Sequence, residues 1–353
     1  MPRYRAAMDI GGTFTDFVVI DDREQTTVTG KTSTTPAHPE QGVLSGLEQT
    51  VPDAGELSFV VHGTTVGLNA FLERKGTRVL LAMTTKLSDA YSIARHDRKE
   101  LYTLRYRKPT RLVPRHDVYE VVERLRHDGS VDTELDIASL GPLVEAVRRD
   151  GIEAVAVCLV HSYVNPEHEL RVRDELEREC PGLSVTLSHE IAREWREYER
   201  ASTAVMNAYV APRVEDYLRN LESGLVELAV PAKLHVMQSN GGITTAAKAR
   251  RQPIQTLLSG PVGGTIGGAA LSRRLPEERE HLGRLARIIA GRHQLLQAAR
   301  VRLPLEVRPV AVDRGESREL EAEPEHDLGR LAQPGGADPV AGLGPGPRRR
   351  GAD

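Results

Sequence analysis

The sequence predicts an α/β protein, and three observations carry the prediction. Short β-rich segments alternate with amphipathic, helix-like ones from Tyr4 to about Leu275. The first two β segments are joined by Gly11-Gly12-Thr13, which makes a hairpin and not the strand-turn-helix of a dinucleotide fold. Ala154 to Val160 is an unbroken apolar run of the kind buried on both faces of a parallel sheet.

The elements follow in order. Tyr4 to Ile10 and Phe14 to Ile20 are the hairpin strands, and Asp21-Asp22 turns the chain into a third strand, Thr26 to Lys31. Pro36 to Gln49 reads as a helix with Pro39 near its start and Val43, Leu44 and Leu47 on its apolar side. Leu57 to His62 is a strand that ends in Gly63-Thr64-Thr65, and Val66 to Arg74 is helical. Arg78 to Thr84 is a strand, and the charge-crowded stretch 95–117 is expected as a long, partly exposed loop or hairpin. Ile137 to Asp150 and Pro166 to Cys180 are helices, and Val185 to Leu187 is a strand. Glu194 to Leu221 reads as one long helix interrupted near Pro212, where proline removes a backbone donor. Leu234 to Met237 is the last strand, and Ser259 opens a helix of small residues that runs to about Leu275.

Composition excludes several function classes. With 47 basic and 50 acidic residues the net charge is −3, which is no electrostatic footprint for nucleic acid or an anionic membrane. Two cysteines, Cys158 and Cys180, make neither a disulfide framework nor a four-ligand zinc site. No apolar run is long enough to span a bilayer and no signal-peptide core follows Met1, so the expected setting is the cytoplasm. The aromatic fraction of 4% is an average over two unlike pieces. All 14 aromatic residues lie at or before Tyr217, and residues 276–353 contain no Lys, Asn, Thr, Met, Cys, Phe, Tyr or Trp but 13 Arg.

The most informative segment is Asp9-Ile10-Gly11-Gly12-Thr13-Phe14-Thr15-Asp16. Two glycines at a hairpin turn let backbone N–H groups approach an anion closely. Thr13 and Thr15 add hydroxyl donors, and Asp9 and Asp16 are hard oxygen ligands suited to Mg²⁺. A bare Gly-Gly pair is an ordinary hairpin turn; the whole octapeptide reads as a phosphate loop. At His62-Gly63-Thr64-Thr65 a strand gives way to a helix, which is either a helix cap with His62 as a satisfied partner or a second wall of a site. The turn Gln238-Ser239-Asn240-Gly241-Gly242 is polar enough to hydrogen-bond an amide and is otherwise a strand-end turn. Arg196 to Arg200, with Glu197 and Glu199 between, is expected to form intrahelical ion pairs on a solvated face. His62, His96, His161 and His189 are too scattered to suggest a metal centre, and Cys158 lies in the apolar run as a packing residue.

The octapeptide resembles the first phosphate loop of the ATPase superfamily shared by actin, hexokinase and the heat-shock chaperones. More narrowly, the chain to about residue 275 resembles the hydantoinase A/5-oxoprolinase family, which includes N-methylhydantoinases and the ATP-binding subunits of acetone and acetophenone carboxylases. The matching segments are Asp9–Asp16, His62–Gly76, Thr84-Thr85-Lys86, Arg196–Arg200 with Asn207-Ala208-Tyr209, Met237–Gly242 and Ser259–Gly268. The resemblance implies a ribonuclease-H-like lobe with an inserted α/β subdomain. It implies ATP and Mg²⁺ as cofactors, a small cyclic amide or ketone as substrate, and a partner subunit of the hydantoinase B type. Carried onto this chain, Gly11, Gly12, Thr13 and Thr15 would hold phosphates and Asp9 and Asp16 the metal. Asp9, Asp16 and His62 would be catalytic, and Thr64, Thr65, Asn69, Gln238 and Asn240 would face substrate. Leu68 departs from the small residue usual before Asn69.

The resemblance fails past about residue 275. The family's second phosphate loop, Asp-x-Gly-Gly-Thr, occurs nowhere after Asp16, and the composition changes at the same place. The expected organisation is therefore an N-terminal family domain over 1–180, the start of a hydantoinase A domain over 181–275, and a non-matching, disordered tail over 276–353. The tail reads as a shifted reading frame or as a genuine extension. Two functions follow: ATP-dependent opening of a hydantoin- or 5-oxoproline-like ring, or a catalytically inactive fragment with an incomplete second lobe. A third is the ATP-binding subunit of a ketone carboxylase.

Overall fold

The computed structural model describes residues 3–35, 37–95 and 102–274, with side chains to residue 270. The expected tail, 276–353, lies outside the described residues. Strands β1 (Tyr4–Ile10), β2 (Phe14–Asp21) and β3 (Thr26–Ser33) form an antiparallel meander, followed by helix α1 (Pro39–Thr50), strand β4 (Leu57–Thr64) and helix α2 (Val66–Leu72). Then come β5 (Val79–Thr84), α3 (Asp89–Ile93), β6 (Val118–Val121), β7 (Arg124–Leu125), β8 (Val131–Thr133), α4 (Gly141–Asp150), β9 (Ala154–Cys158), α5 (Glu167–Glu179), β10 (Ser184–Leu187) and α6 (Ser188–Ile191). The chain closes with α7 (Glu197–Glu227), β11 (Leu234–Met237), β12 (Ile243–Thr245), α8 (Ala246–Arg251) and α9 (Ser259–Arg274).

Two sheets organise these elements. The first has six strands in the order β12-β11-β4-β1-β2-β3, with β4 parallel to β1 and β11 parallel to β4. Alternation in the hairpin decides its faces: Tyr4, Ala6, Met8 and Ile10 point inward, while Arg5, Ala7 and Asp9 point out. The inward residues meet Val43 and Leu47 of α1 and Val214, Leu218 and Leu221 of α7 in one apolar core. This is the ribonuclease-H-like lobe. The second sheet, β10-β9-β5-β6, is wholly parallel and inserted between α2 and α7. Its central strands β5 and β9 are buried along their whole length, as the apolar run at 154–160 predicts. Strand β10 pairs with β9, so residues as late as Leu187 belong to the inserted sheet.

Helix α7 joins the two. Ala201, Ala204, Val205, Ala208 and Val210 pack on the inserted sheet, and Val214, Tyr217, Leu218, Leu221 and Leu225 pack in the lobe. Pro212 stands at the changeover. The expected interruption is absent: the helix runs 31 residues through the proline. An internal proline costs about 3 kcal/mol, and burial of apolar side chains on either side outweighs it, at about 1.5–3 kcal/mol for each large one. In the stretch expected as a loop, residues 102–114 carry no regular element, while Arg115–Asp117 form a single 3₁₀ turn that leads into β6.

Candidate functional site

The parallel strands β1, β4 and β11 end together, at Ile10, Thr64 and Met237, and the turns that follow them gather at one edge of the lobe. The carboxyl edge of an open α/β sheet is where ligands bind in such folds. In the hairpin turn, Gly11 N–H donates to Phe14 O (2.9 Å). Thr34 backs the turn: its N–H donates to Thr13 O (2.9 Å) and its hydroxyl to Gly11 O (3.0 Å). The amides of Gly12 and Thr13 find no acceptor among the described residues, and both residues are exposed. A Cβ on Gly12 would stand in open space, bounded only by Asn69 Nδ2 at 4.0 Å. The turn thus presents two exposed N–H donors with no acceptor among the described residues, and no side chain stands at Gly12.

One register step back, Asp9 and Asp16 face each other across β1 and β2. Both are on the outward face, and Gly63 of β4 flanks Asp9 on its other side. A Cβ on Gly63 would meet Asp9 Oδ1 at 2.7 Å, so any larger residue there would turn the Asp9 carboxylate out of its present position. Loss of water beside the neighbouring strand, and then the charge of Asp16, raise the Asp9 carboxyl above the usual carboxylate range. Asp16 is answered by Lys31 of β3, whose Nζ lies 2.7 Å from Asp16 Oδ1. Among the described residues no group of three or more His, Cys, Asp or Glu side chains converges on a metal position. This edge can offer a cation two carboxylates and an anion two backbone donors.

The other expected site residues divide by strand parity. Asn69 joins the turn: its Nδ2 donates to Thr65 Oγ1 (3.3 Å), and Thr65 Oγ1 donates to Ile10 O (3.0 Å), tying α2 to the end of β1. Thr15, Thr64 and His62 are turned the other way, into the lobe, and not toward the face of Asp9 and Asp16 where the resemblance would have them. Thr15 is fully buried against Thr34, so its hydroxyl is not offered at the face of Asp9 and Asp16. Thr64 is buried, and its Oγ1 accepts from Val66 N–H at the start of α2. His62 is fully buried with Nε2 2.6 Å from the Tyr217 hydroxyl, and burial lowers its pKa to about 4. The Gly11 amide has Phe14 O as acceptor, so it is Gly12 and Thr13 whose amides are left to an outside anion.

The turn after β11 closes on itself. Gln238 N–H donates to Gly242 O and its Nε2 to Gln255 Oε1 (2.6 Å), while Asn240 Oδ1 accepts from Gly242 N–H (2.8 Å). Asn240 is exposed, and α9 lies against the turn through Ile266 beside Gly241. Ser259, fully buried at the start of α9, donates to Thr64 O (3.3 Å) and so joins α9 to the same edge. Lys31 and Thr34 escape the sequence reading, and Gly63 and Ser259 enter it only as parts of longer segments, without the contacts they make here. Lys31 and Thr34 have a findable signal, since a third meander strand must run beside Asp16 and the turn. Gly63 and Ser259 depend on contacts between distant segments.

The Arg196–Arg200 segment lies away from this edge, at the carboxyl end of the inserted sheet. One intrahelical ion pair of the expected kind forms, Arg200 with Glu197 at 4.0 Å, but its arginine is buried and not on a solvated face. Arg200 is buried, with Nε donating to Ser188 Oγ (2.9 Å) and a terminal nitrogen to Glu194 O (2.9 Å), and Glu199 pairs with Arg95 instead.

Comparison with known proteins places the chain. A model of the hydantoinase/oxoprolinase N-terminal region matches residues 5–180, and a hydantoinase/oxoprolinase model matches residues 200–280. An uncharacterized protein of Methanocaldococcus jannaschii is 36% identical over 279 residues, covering 78% of this chain and 41% of that protein. The caprolactamase subunit alpha of Pseudomonas jessenii is 30% identical over 281 residues, covering 77% and 40%. The nucleotide-free structure of an ATP-dependent acetone carboxylase superposes with a TM-score of 0.68 at 28% identity, covering 78% of this chain and 41% of that one. The chain spans about two fifths of the length of these relatives.

Proposed function

The chain belongs to the hydantoinase/oxoprolinase family, and on that premise we propose that it supplies the phosphate-holding half of an ATP-dependent enzyme that opens a cyclic amide. The observation that carries the reading is the turn at Gly12: two exposed amides without an acceptor among the described residues, open space at the Gly12 Cβ position and two facing carboxylates one step behind. These groups fit a phosphate and its divalent cation. When bound, ATP with Mg²⁺ supplies the phosphoryl group that activates an amide oxygen toward water. The chain's own part is positioning, which is most of what phosphoryl transfer asks of a protein. Gly12 and Thr13 N–H groups hold phosphate oxygens, Asp9 and Asp16 hold the cation, and Asn69 closes the side of the turn that faces α2. Asn240 is exposed with its Oδ1 held by Gly242 N–H, so its side-chain N–H groups are what it would offer a substrate, and Gln238 would offer Oε1, since its Nε2 is held by Gln255.

A second reading, an ATP-binding subunit of a ketone carboxylase, is supported by the likeness to acetone carboxylase. The two share the phosphate edge and differ in the acceptor. Calorimetric titration of the whole chain with Mg-ATP tests what they share, and micromolar affinity is expected; no heat of binding overturns both. Turnover is then assayed with 5-oxoproline, a hydantoin and caprolactam against acetone and acetophenone with bicarbonate, with and without a hydantoinase B type subunit. Ring opening selects the first reading, and ATP hydrolysis that depends on ketone selects the second. Binding without turnover under every condition supports a nucleotide-holding fragment.

A further inference from the structure

Asp9 and Asp16 do not face each other alone. Lys31 stands directly across β2–β3 from Asp16, with Nζ 2.7 Å from Oδ1 and 5.1 Å above the ring of Phe14. Asp9, Asp16 and Lys31 therefore form a row of charge across three hydrogen-bonded strands, next to the turn that holds Gly12. Cross-strand neighbours sit about 4.5–5.5 Å apart between Cβ atoms, so the row is held by the sheet and not by loop conformation. The Lys31 and Asp16 side chains are 55% and 60% exposed, which leaves the pair weak and exchangeable.

Resting on the phosphate-edge reading, we propose that Lys31 is a displaceable counter-ion. It neutralises Asp16 until a divalent cation takes that carboxylate, and its ammonium then turns to the anion that accompanies the cation. One fixed positive charge so placed has two effects of opposite sign. It opposes a bare divalent ion, which must displace the ammonium and then sit beside it. It favours the ion that arrives with phosphate, because the released ammonium gains a new negative partner. Lys31 thus biases the edge against free metal and toward the metal–triphosphate complex.

The test compares the whole chain with its Lys31→Met and Lys31→Arg variants. Binding of Mn²⁺ alone is followed by the electron-spin-resonance signal of the free ion, and Mn-ATP binding by calorimetry. The Met variant is expected to bind Mn²⁺ alone roughly two- to fivefold more tightly and Mn-ATP more weakly by a similar factor, the range of an exposed ion pair. The Arg variant should match the wild type in both, and all three should unfold at the same temperature. Mn²⁺ affinity unchanged or weakened in the Met variant overturns the proposal, as does failure of all three to take up Mn²⁺. If the wild type binds Mn²⁺ but not ATP, the phosphate reading falls, and the sign of the Mn²⁺ shift alone decides the role of Lys31.

Discussion

The molecule has two parallel sheet edges of the same kind, and they are finished in opposite ways. At the end of β1 and β4, the Gly12 and Thr13 amides have no acceptor among the described residues and the carboxylates point outward. At the end of β5, β6 and β9 the space is filled by polar side chains that satisfy one another. Glu169 Oε1 accepts from Leu159 N–H (3.0 Å) and Ser188 Oγ (2.6 Å), and its Oε2 lies 2.6 Å from His189 Nδ1. Glu123 takes the hydroxyl of Thr84 and sits 2.8 Å from His168 Nδ1. Arg200 closes the set through Ser188 and Leu159 O (2.5 Å). All of these carboxylates and Arg200 are buried, and burial alone would raise Glu169; its hydrogen bonds outweigh that and hold it below the usual range. A parallel sheet's carboxyl edge is thus open to a ligand only where its polar groups are left unfilled, as at the edge proposed here to hold phosphate. In the inserted subdomain the same position is a structural plug.

This contrast can be broken in four ways, from the largest effect down. Arg200→Met removes a buried cation and leaves Ser188 Oγ and the Leu159 and Glu194 carbonyls without their donor, so urea unfolding should show a loss of about 3–5 kcal/mol, at about 1–3 kcal/mol for each stranded buried group. A loss below about 1 kcal/mol, the worth of an exposed pair, would mean the plug is ornamental. Next is the lobe's own buried pair. The imidazole of His62 has its pKa lowered from 6.5 to about 4 by burial, so above pH 6.5 it is neutral folded or unfolded. Between pH 6.5 and 4 the unfolded chain takes a proton that the folded chain refuses, and stability falls with pH by about 3 kcal/mol. His62→Gln should flatten that slope; an unchanged slope places the titration elsewhere.

The two smaller effects belong to the open edge. Gly12→Val fills the position before the free amides and should weaken Mg-ATP by roughly tenfold, about 1.4 kcal/mol, at an unchanged melting temperature. A drop in melting temperature instead would mark Gly12 as a packing residue. Thr34→Val removes the hydroxyl that braces Gly11 O and should cost about 1 kcal/mol, with a few-fold loss of Mg-ATP affinity.

Much of this architecture is legible in the sequence, because period and turn chemistry are local. The Tyr4–Ile10 and Phe14–Asp21 strands, the Gly11–Thr13 turn and the buried run at Ala154 can each be read without knowing their neighbours. The site is half legible for a related reason. Thr15 and Asp16 are consecutive on a strand and cannot both face Asp9, yet which one does depends on register. The same parity separates His62 from Gly63, and only the packing of Tyr217 shows which is inside. Pro212 misleads because the propensity cost is local while the burial that outweighs it comes from two separate cores. Arg200 misleads because a charged helix stretch gives no sign that one arginine is drawn inward by Ser188 and Leu159.

The pairing of β11 with β4 bears on how the chain is made. Leu234 sits beside Val60, so the edge of β4 waits for about 170 further residues before its partner exists. At roughly 5–20 residues per second of synthesis that is about ten to thirty seconds. In that interval the inserted sheet has all its strands by Leu187 and the α7 residues that cover it by Val210, while the lobe still lacks β11 and, until Leu225, the half of α7 that packs on its core. The nascent lobe carries an unpaired strand edge at β4 throughout, and an apolar face that α1 covers only in part until α7 is made. Ribosome-bound chains stalled between residues 190 and 225 should therefore be the ones that draw chaperones and self-associate.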